Sequence, residues 1–305
     1  MQIQQPEAAA ARDYKSRMFI MIFHDKEELL KLYNAVSGRC YEDPQLLTIN
    51  TLENAIYLSM KNDLSFLIDS RLSLYEHQST FTPNMPLRFL LYLSDLYSVF
   101  INDKNLYGSR IVSVPAPRFI VFYNGREERP DRETICLSDA FEKKEAETAL
   151  ELKVDVLNIN LGHNKELMET CRTLRDYAEY VHRLRKNTEA LPIADAVDKT
   201  IDECIRGDIL REFLMRNRAE AKKVSIYEYN EEEHIRMERE DAFEDGMKAG
   251  LEKSREQLEA AQKKVNEAEK RADSAEKRAD TAEKRAEFAE AELKKLKDVL
   301  AKTKC

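Results

Sequence analysis

The chain lacks any apolar run of the roughly 18 to 20 residues that a membrane-spanning helix needs. Residues 1–17, MQIQQPEAAAARDYKSR, lack the basic and then apolar order of a secretory signal. No two of the five cysteines stand in the CxxC spacing of a zinc site, and their scatter argues against a disulfide framework: they are Cys40, Cys136, Cys171, Cys204 and Cys305. We therefore expect a cytoplasmic protein without membrane contact and with reduced thiols.

An overall positive charge is also missing, since the formal net charge is −8 at pH 7. A nucleic acid would have to be bound by a local basic patch rather than by the charge of the whole protein. Apolar residues make up 43% of the 305 residues, which is enough for one core of ordinary size. Because Glu, Lys, Arg and Ala dominate the sequence after Gly250, we expect a non-globular tail there.

The apolar periodicity predicts an α/β core with the order α-β-β-β-α-β. Residues 14–37 show helical spacing up to Gly38, which predicts a helix pair or one interrupted helix. Pro86 begins a largely buried helix, and a further helix is expected from about Lys165 to Lys186. The expected strands lie at 48–60, 63–69, 71–79, 117–125 and 150–162, with a turn at Asp69-Ser70 between the second and third.

The division of the chain follows from where this pattern changes. A charged sequence with helical spacing continues from Ala194 to about Ala242, and Gly246 and Gly250 predict a looser junction after it. We expect a core over residues 14–190, a helical extension over 191–245 and a coiled coil over 251–303.

The tail carries an uninterrupted heptad repeat, which is visible in the successive sevens AEKRADS, AEKRADT and AEKRAEF. Alternating steps of three and four define what we call the seam. Its members are Leu258, Ala261, Val265, Ala268, Ala272, Ala275, Ala279, Ala282, Ala286, Ala289, Leu293, Leu296 and Leu300. This spacing is typical of a left-handed coiled coil.

Charges beside the seam indicate the direction of pairing. The e positions hold Glu269, Glu276, Glu283 and Glu290, and the g positions hold Arg271, Arg278 and Arg285. In a parallel pair g faces e of the partner, so unlike charges meet and a parallel homodimer is favoured. Each alanine layer contributes roughly 2 kcal/mol less than a leucine layer. The alternative is a lone helix held by pairs such as Asp273 with Lys277.

Two carboxylates form the candidate site in the core. A two-residue turn at Asp69-Ser70 would set Asp63 directly opposite Glu76 on the neighbouring strand. Two carboxylates so placed can share a hard divalent cation, as in metal-dependent nucleases. The alternative is that Asp63 merely begins a strand and Glu76 lies on a solvated face. Alternation places His77 on the opposite face, so we assign it no catalytic role.

The text around this pair resembles the recombination-promoting nuclease/putative transposase (Rpn) family, a branch of the PD-(D/E)xK nucleases. The resemblance covers roughly residues 15 to 245, and its most specific element is Glu76-His77-Gln78-Ser79 followed by a Pro-Leu-Arg helix. It continues through three further stretches: Phe122-Tyr123-Asn124-Gly125, Val156-Leu157-Asn158-Ile159-Asn160 and Asp202-Glu203-Cys204-Ile205 to Glu228-Tyr229-Asn230. The coiled coil lies outside it.

The resemblance implies a restriction-endonuclease-like core and cleavage of DNA that depends on Mg²⁺ or Mn²⁺. Asp63 and Glu76 would be the metal-binding carboxylates, with Glu28 or Glu27 as a third. Gln78 stands where the superfamily has lysine, and its amide can only hydrogen-bond the attacking water. Arg88 and Tyr92, one helical turn apart, would face the same site, with Arg88 binding phosphate. The alternative is that Arg88 forms a structural ion pair and Tyr92 is a core tyrosine.

Two functions are consistent with these features. The first is a DNA endonuclease whose tail makes a homodimer, so that two sites act on two strands. The second is a catalytically weak nuclease-fold module for DNA binding or assembly, which the acidic balance and Gln78 favour.

Overall fold

The computed structural model describes residues 17–49, 63–144 and 147–302. One compact unit ends at His234, and a second begins at Ile235. None of the helices in the described ranges offers an apolar stretch of the length that a bilayer crossing requires. The four cysteines of these ranges carry free thiols, of which Cys171 and Cys204 are buried.

The strands and helices follow the expected order closely. The strands are β1 (Thr48–Ile49), β2 (Leu64–Ile68), β3 (Arg71–Gln78), β4 (Ala116–Tyr123), β5 (Arg132–Cys136) and β6 (Lys153–Asn158). The helices are α1 (Arg17–Phe23), α2 (Lys26–Ser37), α3 (Met85–Ile101), α4 (Lys165–Thr170), α5 (Arg172–Thr188), α6 (Ile193–Arg206), α7 (Arg211–Arg216) and α8 (Arg218–Lys302). The strand predicted over residues 48–60 is described only as β1, since residues 50–62 lie outside the described ranges.

The strands form one six-stranded mixed sheet in the order β1-β2-β3-β4-β6-β5. The strands β1, β2 and β3 pair antiparallel, whereas β4 pairs parallel with both β3 and β6. The helix α3 connects the parallel strands β3 and β4, as a parallel connection requires. The protein is therefore an α/β protein with a mixed sheet and a long C-terminal helix.

The hairpin between β2 and β3 has the two-residue turn that the sequence predicts. Asp69 and Ser70 have φ angles of 47° and 59°, the left-handed region that a type I′ turn needs at both central positions. Ile68 pairs with Arg71 and Leu64 pairs with Tyr75. This register decides which side chains of the two strands lie opposite each other.

Helices cover both faces of the sheet, and this explains the continuous apolar run of β4. On one face α3 packs through Phe89 against Leu74 and Val121. On the other face α1, α2 and α5 pack against Phe66 and Phe122. Side chains alternate along β3, so Glu76 falls on the α3 face and His77 falls on the other.

Two differences from the predicted helices have physical causes. The helix expected from Lys165 to Lys186 is broken at Cys171, which is extended between α4 and α5. The break lets Met168 of α4 and Leu174 of α5 both enter the core. The looser junction expected at Gly246 and Gly250 is absent, because α8 continues through both glycines. Each costs about 1 kcal/mol relative to alanine, which the strong helix formers around them offset.

The close approach of β3 and β4 at their ends requires a glycine at position 125. A Cβ on Gly125 would lie 2.5 Å from the carbonyl oxygen of Ser79 and against the ring of Tyr123. We expect Gly125→Ala to lower the free energy of unfolding by roughly 2 kcal/mol, because backbone must move to admit the methyl group. Urea unfolding measures the loss.

The matched control is Gly108→Ala, where the new Cβ would lie 3.4 Å from its nearest neighbour, the carbonyl oxygen of Asn105. This variant should keep the stability of the wild type within about 0.5 kcal/mol. Equal stabilities of the two alanine variants would contradict the close approach at Gly125.

Candidate active site

The hairpin brings Asp63 and Glu76 together, as the register predicts. The backbone N–H of His77 donates to Oδ2 of Asp63 at 2.7 Å. The backbone N–H of Asp63 donates to Oε2 of Glu76 at 3.3 Å. Each carboxylate thus binds the backbone of the opposite strand, which fixes both groups at the end of the hairpin that is distant from the Asp69-Ser70 turn.

The electrostatics of the pair favour an added positive charge. Glu76 is buried, and Asp63 is half-buried. Burial, and next the charge of Glu76, raise the pKa of Asp63 well above its usual range. The N–H of His77 and the charge of Arg88 act in the opposite direction, while Glu228 of α8 adds to the rise. The pair therefore tends to hold a proton or to attract a cation.

Arg88 supplies one cation to this pair. Its Nη2 donates to Oε1 of Glu76 at 2.5 Å. The same nitrogen and Nε donate to the hydroxyl of Tyr92, at 2.9 and 3.3 Å. Arg88 and Tyr92 do face the same site, as predicted, but the guanidinium is bound to a carboxylate. Burial, and next the charge of Glu76, raise the pKa of Tyr92 to about 12, so its hydroxyl stays protonated.

Gln78 lies two residues beyond Glu76 on the same face of β3 and is also buried. Its Oε1 accepts a hydrogen bond from the backbone N–H of Thr82 at 3.4 Å. Its own carbonyl accepts from the N–H of Asn124 at 2.8 Å. Gln78 therefore connects the end of β3 to the loop before α3 and to the end of β4.

The third carboxylate expected at the site is not brought there. Glu28 accepts from the hydroxyl of Thr173, and its other oxygen binds Nζ of Lys31 at 2.7 Å. Glu27, the alternative, is exposed on α2. Within the described ranges, no three His, Cys, Asp or Glu side chains gather closely enough to hold a metal ion. The reason is the packing of α2, which directs Glu28 toward α5 rather than toward β2.

His77 lies on the far face of the sheet, where alternation predicts it. Its Nε2 is 2.9 Å from the hydroxyl of Tyr177, and its ring stacks on Phe19 with centroids 5.0 Å apart. Burial, and next the charge of Arg185, lower the pKa of His77 to about 3. The imidazole is therefore neutral and packs as part of the hydrophobic core.

A set of amide side chains at the carboxyl ends of β4 and β6 supports the site. These side chains were not among the site residues predicted from the sequence. Arg185 of α5 donates to the side-chain and backbone oxygens of Asn124 at 3.1 and 2.6 Å, and to Oδ1 of Asn160 at 3.2 Å. Asn160 in turn donates to the carbonyl of Gly125 at 3.0 Å. Asn158 joins it by accepting from Asn160. Asparagines placed directly after apolar strands were the signal available for these contacts.

No protein-family model matches the chain, and no curated protein or solved structure is significantly similar to it. The family likeness therefore depends on the residues quoted above.

The depressed pKa of His77 predicts a specific loss of stability in acid. Below about pH 6.5 the unfolded chain protonates this imidazole while the folded chain does not, until the pH approaches about 3. This difference costs about 1.4 kcal/mol of unfolding free energy per pH unit in that range. We expect His77→Gln to flatten the fall of stability with decreasing pH, as measured by urea unfolding at several pH values.

The raised pKa of Asp63 acts in the opposite direction but is common to both proteins. The exposed His182 of α5 offers the control, and His182→Gln should retain the slope of the wild type. If His77→Gln also retains that slope, His77 is not buried as a neutral group.

Proposed function

We propose that the protein is a metal-dependent DNA endonuclease with a restriction-endonuclease-like core, in which Asp63 and Glu76 bind Mg²⁺ or Mn²⁺. The observation that carries the proposal is the joined pair of carboxylates at the end of the β2–β3 hairpin. A pair of like charges in a buried place is unfavourable without a counter-ion, so its presence favours a cation site.

The arrangement of elements supports the same proposal. An α-helical pair precedes three antiparallel strands, and α3 then leads to the parallel strand β4. This is the α-β-β-β-α-β order that the resemblance to the recombination-promoting nuclease/putative transposase family implies.

The residues present fit a hard divalent cation. Mg²⁺ is commonly held by one or two carboxylates and completes its shell with water, so a third protein carboxylate is not required. A bound metal would activate a water molecule and stabilise negative charge on the phosphoryl oxygens. Arg88 would bind a phosphate oxygen, Tyr92 would position Arg88, and Gln78 would hydrogen-bond the attacking water.

We also propose that α8 pairs with a second copy in parallel. From Leu258 to Leu293 its seam is solvent-exposed in the single chain, with Leu258, Val265 and Leu293 exposed by 72%, 49% and 54%. Lone-helix pairs are present too, such as Lys284 with Asp280 at 3.0 Å and Lys277 with Asp273 at 3.9 Å. Each exposed pair contributes only about 0.2–0.5 kcal/mol and covers none of the seam, which favours dimerisation.

A catalytically weak module for DNA binding or assembly is the second candidate. It is favoured by Gln78 in place of a lysine, by the bond between Arg88 and Glu76, and by the net charge of −8. DNA that is retained on a filter in a salt-sensitive way, but not cut, would support this candidate over the nuclease.

Cleavage of DNA tests the nuclease directly. We expect nicking or cleavage in Mg²⁺ or Mn²⁺, and a loss of roughly a hundredfold or more in Asp63→Asn and in Glu76→Gln. The reason is that a metal contributes several kcal/mol to the stabilisation of the transition state. The measurement is the initial rate on supercoiled and linear DNA.

Asp69→Asn is the matched control, because Asp69 belongs to the same hairpin but lies at its turn, bound to Tyr41. It should cut at the rate of the wild type, since asparagine also accepts the left-handed turn conformation. A rate in Asp63→Asn equal to that of the wild type would refute the nuclease proposal.

Charge placed in the seam tests the dimer. Ala275→Glu combined with Ala282→Glu buries like charges at two seam positions one heptad apart, and we expect a monomer by sedimentation. Ser274→Glu combined with Thr281→Glu adds the same charge at outer positions and should stay dimeric. A truncation at Gly250 should shift toward the monomer, as the seam variant does. If both the seam variant and the truncated protein remain dimers, another surface joins the chains.

A further inference from the structure

We infer that Arg88 is a built-in counter-ion that a divalent metal must displace from Glu76, and that the freed guanidinium then binds the DNA phosphate. The inference rests on the proposed metal site at Asp63 and Glu76. It assigns Arg88 a place in controlling that site, so that metal binding and phosphate binding become linked.

The first step is competition for one oxygen. Arg88 Nη2 lies 2.5 Å from Oε1 of Glu76, while Oε2 of Glu76 accepts the N–H of Asp63 at 3.3 Å. Both oxygens of Glu76 are therefore engaged. A metal that binds Oε1 would share this oxygen with the guanidinium of Arg88. Two cations bound to one oxygen lie close enough to repel each other strongly.

Arg88 alone does not balance the charge that the two carboxylates can carry. One guanidinium offsets one negative charge, whereas Asp63 and Glu76 together can carry two. A divalent ion would neutralise both carboxylates, which a single arginine does not.

Arg88 is more exposed to solvent than the carboxylate that it binds. The side chain of Arg88 is 27% exposed, whereas that of Glu76 is 6% exposed. Arg88 therefore lies on the solvent side of Glu76, where an approaching metal ion or phosphate meets it first.

Tyr92 determines how firmly Arg88 is held. Its hydroxyl accepts from both Nη2 and Nε of Arg88, and the guanidinium carbon lies 5.8 Å from the ring centroid. These contacts hold the guanidinium in the position in which it binds Glu76. An arginine held in this way can bind two phosphate oxygens at once. DNA should therefore tighten metal binding, and metal should tighten DNA binding by the same factor.

Titration of the full chain with Mn²⁺, followed by calorimetry and by the resonance signal of free Mn²⁺, tests the inference without cleavage. We expect Arg88→Gln to bind Mn²⁺ about tenfold more tightly than the wild type, because the binding-competent state no longer requires displacement of a cation. Tyr92→Phe should tighten binding roughly threefold, because the guanidinium loses one hydrogen-bond acceptor.

The matched control is Arg183→Gln on α5. Arg183 binds Glu179 at 2.7 Å and its side chain is 32% exposed, so it resembles Arg88 in pairing and exposure. It should leave the affinity for Mn²⁺ unchanged, and Glu76→Gln should abolish binding. Tyr92→Phe keeps both charges of the ion pair, so it carries the test if Arg88→Gln does not fold.

The outcomes separate this inference from the proposed function. Tighter binding by Arg88→Gln or Tyr92→Phe supports it, including the case in which the wild type binds no Mn²⁺. If wild type and both variants bind equally and Glu76→Gln does not bind, the metal site stands and the role of Arg88 is overturned. If none of the proteins binds Mn²⁺, both are overturned.

Discussion

The register of the β2–β3 hairpin is the constraint on which the site depends. A two-residue turn at Asp69 and Ser70, with positive φ at both positions, pairs Leu64 with Tyr75. Asp63 and Glu76 are consequently neighbours on adjacent strands. A slip of one residue would turn Glu76 to the other face of the sheet, where α1 and α5 pack, and the pair would not exist.

The pair imposes a second requirement, since two carboxylates at a buried strand end need compensation. Arg88 meets half of it from the first turn of α3. The amide contacts of Asn124 and Asn160 with Arg185 hold the ends of β4 and β6 beside Gln78, so the strand that carries Glu76 is fixed at its carboxyl end. Catalysis by metal, which we propose, would use this rigidity to keep the two ligands in place.

Local patterns were enough to predict the hairpin, its turn, the facing pair and the long helix, because short-range spacing decides them. The sequence could not show that Glu28 binds Thr173 of α5 instead of joining Asp63 and Glu76, because the direction of its side chain depends on how α2 packs against α5. β5 gave no signal, since it is a partly exposed edge strand held by backbone pairing with β6. The contacts of Arg185 join residues far apart in sequence, which no periodicity reports. The looser junction expected at Gly246 and Gly250 is absent because the helix formers around them outweigh the cost of two glycines.

We propose that Asp63 and Glu76 together bind a divalent metal. Anomalous diffraction from crystals grown in Mn²⁺ tests it most directly, because it locates the ion without reference to activity. We expect a manganese peak between the two carboxylates, with the guanidinium of Arg88 moved away from Glu76. Crystals saturated with Mn²⁺ that show no peak there, and Arg88 still bound to Glu76, would contradict it.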